Sequence, residues 1–191
     1  NPLFKDSAWA WDENIEAMLM KENDFYHDLG FQFSPTAVAK YKYTGDLNGK
    51  RRGLTAATLL AGRYNPVGQF IRAWNGKHDS GWAIIDCTMN LSLLYWASDT
   101  IHDPRYRHIA TSHADMAIKH FIRPDGSVHH IVSFDPETGE RIEALGGQGF
   151  SPTSAWSRGQ AWAIYGMANV ARNTGEERFL DACKRAAHYW M

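Results

Sequence analysis

Arg158 and Trp162 stand four residues apart in the run Ser-Ala-Trp-Ser-Arg-Gly-Gln-Ala-Trp-Ala-Ile-Tyr-Gly, Ser154 to Gly166. On a helix they share one face, so a planar cation and a large flat ring lie side by side. That pair suits a negatively charged sugar, with a guanidinium fork for its carboxylate and an indole surface for its ring. A loop rich in Gly, Ser and Pro, Gly146 to Pro152, runs into the segment. The same residues also fit a Trp-rich helix packed into a core, with Arg158 capping a neighbour.

Two aspartates occupy places comparable to that of Arg158. Three corners along the chain read Thr44-Gly45-Asp46, Ile101-His102-Asp103 and Thr174-Gly175-Glu176. Asp28 lies 18 residues before Asp46, Asp86 lies 17 before Asp103, and Arg158 lies 18 before Glu176. Each therefore opens the first helix of an αα-hairpin, and in an array of such hairpins those openings fall on one end. Two carboxylates, a guanidinium and Trp162 are expected to converge there. Helix N-capping is the competing explanation for both aspartates. The apolar flanks Ile85 and Leu29 favour a carboxyl that holds a proton near neutral pH.

The elements that must position these residues follow from periodicity and breakers. Ser7 to Lys21 has helical spacing, with Trp11, Ile15, Met18 and Leu19 on one face. Ser34-Pro35 reads as a helix start, and Asp28 is the alternative start. That helix ends at Gly45. A partner runs from about Lys50 to Tyr64, Val67 to Trp74 suits a short strand, and Asn75-Gly76-Lys77 is a turn. Trp82 to Asp86 leads into a helix from Asp86 to about Ser98, apolar nearly all round and so expected to be buried. Asp103-Pro104 opens the next helix, which runs to about Ile122. Ser127 to Phe134 reads as a strand, and Asp135 to Gly139 as a turn returning to Arg141. A helix to Arg172 and a last one from Glu176 to Met191 complete three hairpins with one inserted β-hairpin.

Composition sets the limits. With 44% hydrophobic and 21% charged residues, the 191-residue chain suits a globular body with a sizeable core. A net charge of -1 without a basic block argues against nucleic-acid binding. No apolar run is long enough for a membrane span and no signal peptide is visible. Two cysteines make no disulfide framework, which favours a reducing compartment. Nine histidines show no metal-ligand spacing. The chain starts at Asn1 without an initiator Met, and three hairpins do not close a barrel. More chain, or another covering surface, is expected.

Four motifs carry a resemblance. They are His27-Asp28-Leu29-Gly30-Phe31; Ile85-Asp86 with Met89-Asn90; the hairpin from Asp125-Gly126-Ser127 to Phe134-Asp135-Pro136-Glu137-Thr138-Gly139; and Trp156-Ser157-Arg158-Gly159-Gln160-Ala161-Trp162. The chain resembles glycoside hydrolase family 88, the unsaturated glucuronyl hydrolases, over essentially its whole length. The resemblance implies an all-α (α/α)6 barrel, a six-hairpin toroid. Residues 1–191 would be one catalytic domain covering about the central half, partial at both ends. It implies Asp86 as general acid/base and Asp28 as the second essential aspartate, which positions substrate. It places His130, Gln148, Arg158 and Trp162 around an unsaturated uronate, with Trp74 near a position where the family has an aromatic.

The implied substrate is an oligosaccharide ending in 4-deoxy-4,5-unsaturated uronic acid, as a polysaccharide lyase leaves it. Asp86 would protonate C4, water would add at C5, and the hemiketal would open to release the neighbouring sugar. Such a glycosidase needs no metal or organic cofactor. The resemblance implies no nucleic-acid or membrane partner, and a bacterial cytoplasm or periplasm with the cytoplasm favoured. The unsaturated rhamnogalacturonyl hydrolases of family 105 share the barrel. That family prefers Arg-Gly-Asn-Gly-Trp where this chain has Arg158-Gly159-Gln160-Ala161-Trp162. A non-catalytic sugar-binding αα-toroid is the alternative of another class, and the Asp86–Asp28 pair separates the two.

Overall fold

A computed structural model describes residues 2–21 and 25–191. The helices are α1 (Pro2–Glu16), α2 (Leu29–Phe33), α3 (Ala39–Thr44), α4 (Leu47–Ala61), α5 (Cys87–Ile101), α6 (Pro104–His120), α7 (Ser157–Thr174) and α8 (Glu177–His188). Between them lie strands β1 (Tyr64–Asn65), β2 (Phe70–Ile71), β3 (Trp82–Ile84), β4 (Ile131–Phe134) and β5 (Arg141–Leu145). This mostly helical chain is an αα-hairpin array of the toroid type.

The three corners are built alike. Gly45, His102 and Gly175 all take the left-handed conformation, with φ of 74°, 56° and 74°. An extended residue follows each and opens the returning helix: Asp46, Asp103 and Glu176. Asp46 and Asp103 accept from the backbone N–H two residues on, at 2.9 and 3.0 Å. The corner chemistry thus fixes the hairpins, and with them the direction of every first helix.

Helix α5 is the centre of the array. It packs against α2 on one side and α7 on the other, with α6 behind it. Its Leu91, Leu93, Leu94, Tyr95 and Ala97 are buried, as its all-round apolar pattern requires. The starts of α2, α5 and α7 therefore stand side by side, and α4, α6 and α8 form the outer row. Gly30 permits the close approach of α2 to α5: a Cβ there would come within 2.5 Å of the Asn90 Cα.

Several boundaries differ from the sequence-based expectation. The helix expected at Ser34-Pro35 begins at Leu29, after Asp28. Pro35 falls inside it, within a π turn at Ser34–Val38 that absorbs the missing N–H. The helix expected over Lys50–Tyr64 runs Leu47–Ala61, because Asp46 caps it and Tyr64 and Asn65 pair with Ile71 and Phe70. Trp11, expected on a buried face, is 68% exposed. That helix instead turns Asp12 inward, onto Arg52 and, at 3.5 Å, Lys40.

The β-structure exceeds the expected hairpin and the short strand expected over Val67 to Trp74, of which Phe70–Ile71 is a strand. The β4–β5 hairpin is present, but β3 pairs antiparallel to β4 and makes a three-stranded sheet. β1 and β2 form a separate two-stranded ribbon. At two or three residues, these strands are too short to leave an alternating pattern in sequence. Among the described residues, no helix is long and apolar enough to cross a membrane.

Candidate active site

The strand β3 carries the chain straight to Asp86, and β4 lies beside it. Ala83 pairs with Val132 and Ile84 with Ile131. The Ile85 N–H donates to the His130 carbonyl at 3.0 Å, which extends the ladder by one step. This register sets His130 against Asp86, and the His130 Nε2 stands 3.5 Å from Asp86 Oδ1. The His130 side chain is buried, at 4% exposure, and that of Asp86 is half-buried, at 14%.

The far side of the His130 ring is held by the glycine-rich loop. The Gln148 backbone N–H donates to His130 Nδ1 at 3.0 Å. Gly147 permits that approach, since a Cβ there would sit 2.1 Å from the same nitrogen and its φ is 55°. The Gln148 side chain reaches on, and its Oε1 accepts from the Arg158 guanidinium. Trp156 completes this wall. Its ring centroid is 4.3 Å from that of His130 and 4.2 Å from the Arg158 guanidinium carbon.

Asp28 approaches from α2. Asn90 of α5 accepts from the Phe31 N–H at 2.7 Å and donates to the Asp86 carbonyl at 3.2 Å. One side chain thereby locks the starts of the two aspartate helices together. The Phe31 ring meets the Trp162 ring at 5.1 Å, which joins α2 to α7. Beyond Asp28, His27 Nε2 lies 3.1 Å from Asp28 Oδ1, and the His27 ring stands edge-on to Trp74 at 5.5 Å. All seven expected residues thus belong to one connected group at one end of the helices. They form an open face: Arg158 is exposed, and 31% of the Asp28 side chain is accessible.

Capping does not explain the two aspartates. Asp28 and Asp86 both occupy N-cap positions, yet neither side chain accepts a cap hydrogen bond. Asp46 and Asp103 do accept one. Instead, Asp86 Oδ1, His130 Nε2 and Trp162 Nε1 are buried without a hydrogen-bond partner. A buried unsatisfied polar group costs about 1–3 kcal/mol, so the facing Asp86 and His130 atoms, with Trp162 Nε1 on α7, mark where a polar ligand would repay it. The field of both carboxylates reaches the Cys87 thiol at the first position of α5. Burial pushes that thiol well above its ordinary range, the two aspartates push it further, and Arg63 opposes them. Among the described residues, no cluster of three or more His, Cys, Asp or Glu is arranged to hold a metal ion.

Sequence reasoning left out four participants. His27 and Asn90 were visible in the motifs but had no assigned role. Trp156 and Phe31 also stood in those motifs without an assigned role.

An αα-toroid array with an acidic pair, an arginine and aromatic side chains at the helix starts is the class defined by this fold and site. The chain is homologous to the unsaturated glucuronyl hydrolases. It is 40% identical over 168 residues to the unsaturated chondroitin disaccharide hydrolase of Streptococcus pyogenes serotype M1, covering 87% of this chain and 42% of that protein. It is 39% identical over 173 residues to the unsaturated glucuronyl hydrolase of Bacillus sp. (strain GL1), covering 89% and 46%. It superposes on the crystal structure of the Bacillus sp. GL1 enzyme, described as responsible for the degradation of glycosaminoglycan. The TM-score is 0.91 and the identity 34%, over 99% of this chain and 51% of that one. A solved UGL complex with dGlcA-Glc-Rha-Glc matches at a TM-score of 0.94 and 33% identity, over 99% and 51%. The chain spans about half the length of the curated relatives it matches. No protein-family model matches it.

Proposed function

We propose that this chain carries the acid/base centre of an unsaturated glucuronyl hydrolase. It would release 4-deoxy-4,5-unsaturated uronic acid from the non-reducing end of lyase-generated oligosaccharides. The observation that carries the reading is the buried Asp86 carboxyl oxygen, unpartnered and faced by His130, within reach of an arginine–tryptophan wall. A sugar-binding module needs the wall; it does not need a desolvated carboxyl.

In this reading Asp86 is the group that donates a proton to C4 of the enol ether. Positive charge then develops at C5 and the ring oxygen. Water adds at C5, and the same carboxylate takes its proton, so one group acts as acid and then as base. The hemiketal opens and the neighbouring sugar leaves. Asp28 orients the ring. Arg158 takes the uronate carboxylate, while Gln148 holds the guanidinium in place. Trp162 offers its free indole N–H, and Trp74 closes the aromatic rim beside His27. His130 supports the reacting carboxyl.

The relatives' names favour a glycosaminoglycan-derived, glucuronate-type substrate over a rhamnogalacturonan fragment. A cytoplasmic or periplasmic site of action fits two free cysteines, one of them fully buried. The test is incubation of the whole protein with an unsaturated chondroitin disaccharide. Loss of the double-bond ultraviolet absorbance with release of the second sugar supports the reading. Tight binding with unchanged absorbance overturns it in favour of the binding module.

A further inference from the structure

Each aspartate faces a histidine, and the two histidines are wired in opposite senses. His130 Nδ1 receives the Gln148 backbone N–H at 3.0 Å. An amide N–H only donates, so Nδ1 must present its lone pair and the neutral ring carries its proton on Nε2. Asp86 Oδ1 lies 3.5 Å from Nε2, and neither atom has a hydrogen-bond partner. One proton on the ring therefore raises no conflict at either nitrogen.

At His27 the second ring nitrogen meets an acceptor instead. Its Nδ1 lies 3.0 Å from the Ala73 carbonyl oxygen. A carbonyl only accepts, so the proton sits on Nδ1. Nε2 then lies 3.1 Å from Asp28 Oδ1. With a single proton on the ring, a bare Nε2 lone pair would confront a carboxylate oxygen at hydrogen-bonding distance. Turning the ring over gives no escape, because ring carbons would then replace nitrogen at both contacts. One more proton removes the conflict. It belongs on the imidazole, the more basic of the two partners.

We propose that His27 is a positioning residue that holds this extra proton, so that the His27–Asp28 pair is an imidazolium–carboxylate pair without net charge. The surroundings suit it. His27 is 3% exposed, with the Tyr26 and Trp74 rings against it. The other histidine whose field it feels, His113 on α6, is held neutral by burial. Arg63 donates to the Phe25 and Trp74 carbonyls and so pins the two segments that carry His27 and Trp74. On the reading given under Proposed function, the consequence is a division of labour. An anionic uronate can settle beside Asp28 without facing a bare negative charge, and Asp86 is left as the carboxyl free to exchange its proton with substrate.

The experiment is nitrogen-15 NMR of the histidine side chains in the whole, histidine-labelled protein at pH 7. It reads the protonation of each ring nitrogen without any turnover, so its outcome is independent of whether the proposed activity is found. His27 is expected to carry hydrogen on both nitrogens, and His130 on Nε2 alone. In Asp28→Asn, whose amide can itself donate to Nε2, His27 should lose its second proton and remain protonated on Nδ1. A singly protonated His27 in the unmutated protein, in either tautomer, overturns the proposal. So does an imidazolium that persists unchanged in Asp28→Asn.

Discussion

Asn90 and Phe31 are joined by a 2.7 Å hydrogen bond from the Phe31 backbone N–H to the Asn90 side-chain oxygen. The other half of the same amide donates to the Asp86 carbonyl at 3.2 Å. Fully buried Asn90 is therefore the bolt between the helix that begins after Asp28 and the helix that begins after Asp86. Asn90→Ala would leave the Phe31 N–H without its partner and open space where the two backbones meet. We expect a loss of about 1–3 kcal/mol, the usual cost of a stranded buried donor. Thermal unfolding checks this, and an unchanged midpoint would refute the bolt.

Gly147→Ala separates the loop's role from the fold's. The added methyl would sit 2.1 Å from His130 Nδ1, at a backbone φ of 55°. The Gln148 N–H would be pulled off the ring and the Arg158 contact would move with it. We expect turnover to fall by about tenfold or more, the range for disturbing an acid/base group's setting. The melting temperature should fall modestly, from the left-handed φ and the crowding of buried Ile131, so turnover is compared well below it. Turnover within twofold of normal would show that the loop does not set the His130 ring.

Arg158→Lys keeps the charge and removes the fork. A lysine cannot lie flat on Trp156 as the guanidinium does at 4.2 Å, nor present two parallel donors to a carboxylate. The prediction is a rise in KM of about tenfold, on the scale of one lost charge-assisted hydrogen bond, with a smaller effect on kcat. Steady-state kinetics on an unsaturated disaccharide decide it. Equal KM values would remove Arg158 from uronate binding.

Buried His113 makes the fold sensitive to acid. Its Nδ1 accepts the Ile71 N–H at 3.0 Å, and desolvation lowers its pKa from 6.5 to about 3. Between those values the unfolded chain binds a proton that the folded chain does not, so stability falls as pH drops below about 6.5. The slope is about 1.4 kcal/mol per pH unit for one such group. His113→Asn keeps an acceptor for Ile71 and cannot titrate. Its stability should start lower at pH 7 and decline less steeply between pH 6.5 and 5. Parallel declines in denaturant unfolding would contradict this account.

What was legible in the sequence had a local cause. The corners at Gly45, His102 and Gly175 announce themselves by residue type, and the count back from each finds the helix starts. Asp28, Asp86 and Arg158 followed from that arithmetic, and the structure places all three at one end. The residue types near each motif did not disclose what lies between the elements. Asp86 meets His130 through a β3–β4 register set by three paired residues. His27 acquires its second contact from Ala73, 46 positions away. Trp11 misled because an apolar stripe says nothing about a buried ion pair, and Asp12 with Arg52 decided how that helix turns. Pro35 misled because a π turn lets a helix continue through it.

Turnover of an unsaturated disaccharide by Asp86→Asn, with the melting temperature of the same variant, tests the central claim most directly. Asp86 makes no cap hydrogen bond, and Asn caps comparably in any case, so the fold should be kept. Asparagine can neither protonate carbon nor take a proton from water. The account predicts a loss at or beyond the upper end of the order of 10²–10⁴-fold typical of general acid/base groups. Substrate binding should persist through Arg158 and Trp162. Retention of more than about a tenth of normal turnover, far short of that loss, would contradict the account and pass the catalytic role to Asp28.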